Sequence, residues 1–340
     1  MTHTQNKHLI PIANKPILFY ALENIRDAGI TTAGIIVSPG DAPEVKQAIA
    51  REPSLQLDIT YIEQESPRGL ADCVRIAQPF LGSEPFVFYL GDNMIVGGIS
   101  RFIEQFRASG ANCFLTLARV AHPERFGVPE LNGKNIVRIV EKPSVPSSPY
   151  AVAGIYIYDA HVFEAVNALE PSARGEYEIS DAHQYLLDHG FTVCYDEITG
   201  WWKDTGTPSD LLEANRFVLE HAPLQQLTGI VHAGSIIRGN LILGNGVEIH
   251  NSEITGPAII GDGCAIDNAK IGPFTSIGKN SRIEQCSIAN SIVLDRCVIR
   301  NIARPIESSI IGFDSEIIQS AITSSAHRFM IGDQSRLEIS

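Results

Sequence analysis

No stretch of the 340-residue chain reaches the ~18 consecutive apolar residues that a membrane-spanning helix needs. The opening residues are not expected to act as a secretory leader: Met1–His8 is polar, and Pro11 and Pro16 break the short apolar stretch after it. Lys and Arg form no basic run, and the formal net charge is -13. That argues against nucleic acid or an anionic membrane as the main partner, whereas a small anionic ligand needs only a few local cations. Cysteine is sparse. Cys73, Cys113, Cys194, Cys264, Cys286 and Cys297 stand apart, with no C-x-x-C pair and no Cys/His cluster at zinc spacing. They read as small buried hydrophobes in a reducing, cytoplasmic setting. The remaining composition, 44% hydrophobic and 19% charged, is that of a soluble chain long enough for two domains.

The clearest pattern is a 17-residue period in the last third. Ile237, Ile254, Ile271 and Ile288 form one track, and Leu243, Ile260, Ile277, Leu294 and Ile311 a second. A third runs through Ile249, Ile266, Ile283, Arg300 and Ile317. Gly244, Gly261, Gly278 and Gly312 share this grid, with Asp295 in the vacant slot. Within a period the apolar positions step by 6, 6 and 5. Each step is a short strand plus a corner, so three make a triangular coil whose aliphatic residue points inward. Stacked coils bury those residues in a column that no single coil could form. Coils are expected from near Thr228 and to fade after Ile322. His232, His250 and His327 are the candidates for a catalytic histidine of an acyltransferase; surface or corner positions explain them more simply.

Residues 1–225 read as alternating strands and helices, and 226–340 as the coil domain. Pro16 opens a helix with the stripe Ile17, Leu18, Ala21, Leu22, Ile25 and Ala28, ended by Gly29. Strands are expected at 34–38, 58–63, 86–90, 112–120, 136–141, 153–158 and 191–196, with helices between and a last one over 209–220. The wholly apolar run 86–90 suits a buried parallel strand. In open α/β sheets ligands gather at the carboxyl ends of strands. Asp92 follows such a strand in Gly91-Asp92-Asn93, and a second carboxylate, Asp204, precedes Gly206 and Pro208. Such a pair, leaving most of the coordination shell to water and phosphate, is what Mg²⁺ uses with nucleotides.

Several segments together resemble sugar-1-phosphate nucleotidyltransferases, above all the long-form glucose-1-phosphate thymidylyltransferases. They are Asn6-Lys7-His8-Leu9-Ile10-Pro11, Gln64-Glu65-Ser66-Pro67-Arg68-Gly69-Leu70-Ala71, Leu90-Gly91-Asp92-Asn93 and Glu124-Arg125-Phe126-Gly127-Val128. Val140-Glu141-Lys142-Pro143, Ala153-Gly154-Ile155-Tyr156, Arg174-Gly175-Glu176-Tyr177-Glu178-Ile179 and Trp202-Lys203-Asp204-Thr205-Gly206 complete the ordered set. The resemblance covers nearly the whole chain. It implies a Rossmann-like α/β domain with a mixed, mostly parallel sheet, followed by a left-handed parallel β-helix of hexapeptide repeats, and a homo-oligomer. It implies that Lys7 meets nucleotide phosphates, Gln64 and Gly69 hold the base, and Asp92 and Asp204 hold Mg²⁺. Gly127, Glu141, Gly154 and Trp202 would line the sugar, and Lys142 would bind its phosphate. The implied substrates are dTTP and glucose 1-phosphate.

The implied reaction is one displacement, in which a sugar-phosphate oxygen attacks the α-phosphorus and pyrophosphate leaves. Two repelling anions must be aligned and their charge neutralised, with little acid–base work. The family's opening strand and its loop G-G-x-G-T-R-L-x-P-L-T have no counterpart here; Thr2 resembles the final Thr of that signature. About 15 residues would make such a strand and loop. The expectation from sequence is a start codon assigned too late, a sheet short of a ladder partner, and severely reduced turnover for this chain. Three other readings stand beside it: a UTP- or GTP-using enzyme, a non-catalytic nucleotide-sugar-binding subunit, and added acyl transfer by the β-helix. His8 departs from the Gln of short-form relatives.

Overall fold

The computed structural model describes residues 6–222 and 226–319. Contacts divide the chain into two compact units: residues 18–204, and the segment ending at Ile17 together with the chain from Thr205 onward. Among the described residues the first strand of the coil repeat is Gln226–Leu227. Thr2, His327 and the fading of the coils after Ile322 lie outside the described residues.

The first segment makes an antiparallel pair, β1 (Pro11–Ile12) with β2 (Lys15–Pro16). Helix α1 (Ile17–Asp27) follows, so Pro16 closes a strand bridge one residue before the helix it was expected to open. In unit 18–204, β3 (Thr32–Val37), α2 (Ala42–Ala50) and β4 (Asp58–Glu63) form a β-α-β unit whose strands pair in parallel. Then come α3 (Leu70–Leu81), β5 (Phe86–Tyr89), β6 (Asn93–Ile95) and α4 (Ser100–Ser109). They are followed by β7 (Cys113–Arg119), β8 (Gly127–Asn132), β9 (Asn135–Glu141) and β10 (Tyr150–Tyr158). The unit closes with α5 (Val162–Ala168), α6 (Ile179–Asp188), β11 (Val193–Glu197) and β12 (Trp202–Asp204).

The main sheet is mixed, in the order β11-β7-β10-β5. Strand β11 runs parallel to β7, while β10 runs antiparallel to both β7 and β5. The run at 86–90 is thus not a buried parallel strand. Among the described residues β5 pairs only with β10, and all four of its residues are half-buried. The hydrophobic weight falls on β7 and β10, whose Leu115, Leu117, Ile155 and Tyr158 are fully buried. Burying one such side chain contributes about 1.5–3 kcal/mol, so these two strands form the stiff floor on which the site is built.

In the other unit, α7 (Pro208–Glu220) starts at a capping box: Thr207 and Asp210 satisfy each other's backbone N–H. Its Asn215 side chain accepts from the Ala13 N–H at 2.9 Å and donates to the Phe274 carbonyl at 3.1 Å. Beyond it, three parallel sheets, of six, six and five strands among the described residues, wind into a triangular β-helix, consistent with the left-handed hexapeptide form. The ladders Ile237↔Ile254↔Ile271↔Ile288 and Leu243↔Ile260↔Ile277 follow the expected tracks.

Two positions do not. Ile277 pairs with Val293, and Ile283 with Ile299. Val293 and Ile299, not Leu294 and Arg300, fill the column. Leu294, not Asp295, takes the glycine slot, its N–H bonding to the Ile311 carbonyl as that of Gly261 does to Ile277. The chain is one residue short before Val293, and Ile288↔Ile306 and Val293↔Ile311 then restore the phase. Burial selects the inward residue, so the backbone shortens a corner and does not turn Arg300 into an aliphatic column.

Candidate active site

Strands β6 and β12 pair antiparallel, with Asp204 opposite Asn93 and Trp202 opposite Ile95. Asp92 immediately precedes β6, so residues more than a hundred positions apart bring two carboxylates to one end of a short ladder. Asn93, only 3% exposed, organises this end. Its Oδ1 accepts from the Trp202 indole N–H at 3.0 Å and from the Gly154 N–H at 3.1 Å. Its amide donates to Asp92 Oδ1 at 2.9 Å. A buried amide using both ends is fixed in orientation, and it fixes Asp92 and Trp202 in turn. Phe126 meets Trp202 edge-on, with ring centroids 5.9 Å apart. Gly154 is required by closeness: a Cβ there would stand 2.6 Å from Leu90 and 2.9 Å from the Asn93 amide carbon.

These groups face a cavity of about 410 Å³ within unit 18–204. Gln64, Gly69, Asp92, Gly127, Glu141, Lys142, Gly154, Trp202 and Asp204 all line it. Lys7 is not among the lining residues; it is exposed on the 3₁₀ turn Lys7–Leu9, which the Asn6 side chain caps. The β8–β9 hairpin delivers the sugar-side candidates, with Gly127 opposite Glu141. Glu141 Oε2 accepts from the Ser180 hydroxyl at 2.7 Å, and its Oε1 lies 3.6 Å from both Lys142 Nζ and Arg174. Lys142 holds a left-handed φ of 43° while its N–H bonds to the Phe126 carbonyl.

On the other wall the Gln64 amide donates to Asp72 at 2.8 Å, and Asp72 is paired with Arg75. The Arg75 guanidinium stacks on Tyr177 at 4.5 Å. Tyr177 also grips the segment before α3: its N–H bonds to the Arg68 carbonyl, and its carbonyl accepts from Ala71. Asp72, Asn93, Arg174 and Ser180 thus hold or flank the anticipated residues without having been singled out. Asn93 and Arg174 stood inside quoted motifs; Asp72 and Ser180 gave no signal, because their partners come from remote segments.

Tyr156 reports the electrostatics of the cavity. Burial, and then the negative charges of Glu141, Asp92 and Asp204, hold its hydroxyl well above the usual tyrosine range. Three carboxylates of the cavity thus act on one buried hydroxyl, while Arg125, Lys142 and Arg174 line the same cavity. His183 sits beside it, fully buried, with Nε2 2.6 Å from the Tyr158 hydroxyl and Nδ1 without a partner. Burial lowers its pKa to about 3. The unfolded chain protonates this histidine near pH 6.5 while the folded chain does not, so stability is full above that value. As pH falls from 6.5 towards 3, His183 should remove about 1.4 kcal/mol per unit. Urea denaturation at pH 7.5 and 5.5 should show this slope in the wild type and lose it in His183→Asn. Equal slopes would refute the assignment.

The nucleotidyl transferase family profile matches residues 1–221. The chain belongs to the nucleotidyl transferase family. Glucose-1-phosphate thymidylyltransferase of Streptomyces antibioticus is 45% identical over 342 residues, covering 100% of this chain and 95% of that protein. Its counterpart in Streptomyces griseus is 42% identical over the same extent. A Bacillus anthracis protein, assigned as a glucose-1-phosphate thymidylyltransferase and solved in complex with sucrose, superposes with a TM-score of 0.61 at 34% identity. That match spans 66% of this chain and 91% of the solved one. As a member of the nucleotidyl transferase family the chain is an enzyme, and its C-terminal β-helix extends to the described end at residue 319. Among the described residues no helix is long and apolar enough to cross a membrane.

Proposed function

We propose that the chain transfers a thymidylyl group from dTTP to glucose 1-phosphate, forming dTDP-glucose and pyrophosphate. One observation supports this above all: nine candidate residues drawn from positions 64 to 204 line a single cavity. Full-length similarity to enzymes of that name supports the substrate pair. The Gln64 amide, oriented by Asp72, would read the edge of the base. Gly69 would let the backbone approach the ring. Glu141 would accept hydroxyl hydrogen bonds from the sugar, and Lys142 with Arg174 would meet the sugar phosphate. The phosphate role inferred for Lys7 rests on motif resemblance.

The carboxylates of Asp92 and Asp204 fit a divalent magnesium ion, since both are hard oxygen donors sharing one ladder end. Bound there, the ion would neutralise charge on the triphosphate. The protein's own residues do the rest. Asn93 fixes Asp92, Trp202 walls the cavity, and Lys142 and Arg174 lower the repulsion between the two anionic reactants.

Pyrophosphate release measured with dTTP, UTP and GTP tests the nucleotide. Thymine and uracil differ by one methyl group, so a preference of about 10–200-fold for dTTP over UTP is expected; a preference for GTP would overturn the reading. Glu141→Gln should raise KM for glucose 1-phosphate by about tenfold or more, with a smaller change in kcat, because it removes a charged ground-state contact worth about 1.5–3 kcal/mol. An unchanged KM would remove Glu141 from the sugar site.

A further inference from the structure

We propose that His232, Glu248 and His250 form a surface site for a first-row transition-metal dication of the zinc class, clipping the first coil of the β-helix to the second. None of the three belongs to the cavity described above. The ladder pairing Val231↔Ile249 sets His232 directly over His250, and their rings stack with centroids 3.7 Å apart and planes 14° from parallel. Glu248 lies two residues before His250 on strand Glu248–His250, so the strand's two-residue period sends both side chains to one face. Glu248 Oε2 is 3.3 Å from His250 Nε2 and 4.0 Å from His232 Nε2. One ligand atom from each residue lies within 4.8 Å of the others.

The donor set decides the ion. Bonds of about 2.0–2.2 Å to a tetrahedral zinc ion place neighbouring ligand atoms roughly 3.4 Å apart. The two carboxylate–imidazole distances, 3.3 and 4.0 Å, lie around that value, and binding requires the stacked, half-exposed rings to turn out of their parallel arrangement so that both in-plane lone pairs converge on the ion. Two imidazoles and one carboxylate favour zinc, cobalt, nickel or copper over magnesium and calcium, which take oxygen. Three protein ligands leave a position on the solvent side for water.

A second observation points the same way. His232 Nε2 is shielded from solvent yet has no hydrogen-bond partner. Among the described residues the only ion-pair partners of Glu248 are these two histidines. A buried polar nitrogen and an adjacent carboxylate with no cation are what a bound dication would satisfy together. The location gives the clip a purpose. An end coil of a solenoid has a neighbour on one side only, and the first coil exposes Ile230 and Ile236, 56% and 49% accessible. A bridge from His232 to Glu248 and His250 would hold that coil against the next.

Zinc titrated calorimetrically into the full chain, with magnesium in excess to occupy oxygen sites, tests the proposal. The wild type should bind one zinc ion per chain at this site. His232→Ala and His250→Ala should each weaken it by about tenfold or more, the scale that loss of even an outer partner produces. Asp92→Asn, which alters the cavity, should leave it intact. Substituted cobalt should show the intense visible absorption of a low-coordinate site in the wild type and lose it in His250→Gln. Far-UV dichroism of each variant separates loss of the ligand from loss of the fold. Zinc affinity equal in the wild type and a folded His232→Ala/His250→Ala double variant would overturn the proposal, as would zinc binding that depends on Asp92 alone.

Discussion

Asp92→Asn and Asp204→Asn should each lower the rate of pyrophosphate release by about 1,000-fold, the several kcal/mol that a bound metal supplies to charge stabilisation. Both changes keep shape and remove charge, so the ladder that joins Asn93 to Asp204 should persist. Stability should therefore change little while turnover collapses. Raising the magnesium concentration should recover part of the rate, because a single remaining carboxylate still binds the ion weakly. The comparison that gives this meaning is Asn93→Ala. That change removes no charge, but it frees Asp92 and Trp202 from their shared anchor. Its deficit should not respond to magnesium. Variants at Asp92 and Asp204 within tenfold of wild-type turnover would show that these carboxylates do not carry the metal.

The second large effect is expected at Gly69. Its backbone sits at φ 101°, ψ 169°, and a Cβ would stand 2.5 Å from the Tyr177 carbonyl oxygen. That region is nearly closed to other residues and costs about 1–3 kcal/mol, before any contact is counted. The clash is with main chain held on both sides by hydrogen bonds to Arg68 and Ala71, so it cannot be relieved by turning a side chain. Gly69→Ala should lower unfolding free energy by more than about 2 kcal/mol. It should also weaken nucleotide binding, since Gly69 lines the cavity beside Gln64. Gly133→Ala is the matched control: its φ is 62°, but no atom lies within 4 Å of the added carbon. It should cost only about 1–2 kcal/mol and leave binding unchanged. Equal losses in the two variants, read by urea denaturation and nucleotide titration, would show that the contact with Tyr177 is unimportant.

Much of this architecture could be read from the sequence because it follows from local rules. The 17-residue grid exists because inward positions of stacked coils must be aliphatic, and Ile254, Ile271 and Ile288 obey it as expected. The grid failed at Leu294 and Arg300 because extrapolating a period assumes corners of constant length, while burial acts on each side chain separately. The run at 86–90 departs from expectation for a related reason. An apolar run reports the hydrophobic content of a segment; whether both faces are covered depends on its neighbours.

The site divides along the same line. Residues carried by recognisable motifs, such as Asp92, Glu141 and Asp204, meet on one cavity. Their orienting groups were not legible. The bond from Ser180 to Glu141 crosses 39 residues and that from Trp202 to Asn93 crosses 109. No periodicity or turn rule links positions so far apart. His183 was hidden differently: a lone histidine in a helix gives no sign that its ring will be buried without a partner for Nδ1.

The short coil before Val293 and its recovery by Ile306 and Ile311 also bear on how this β-helix could change over time. Each rung is gripped by its neighbours above and below, so a lost residue distorts one bend and is forgiven a rung later. Errors in length are thereby kept local, and everything downstream stays in phase. Lengthening or trimming the bends should be well tolerated, while a polar replacement in the aliphatic stack should not.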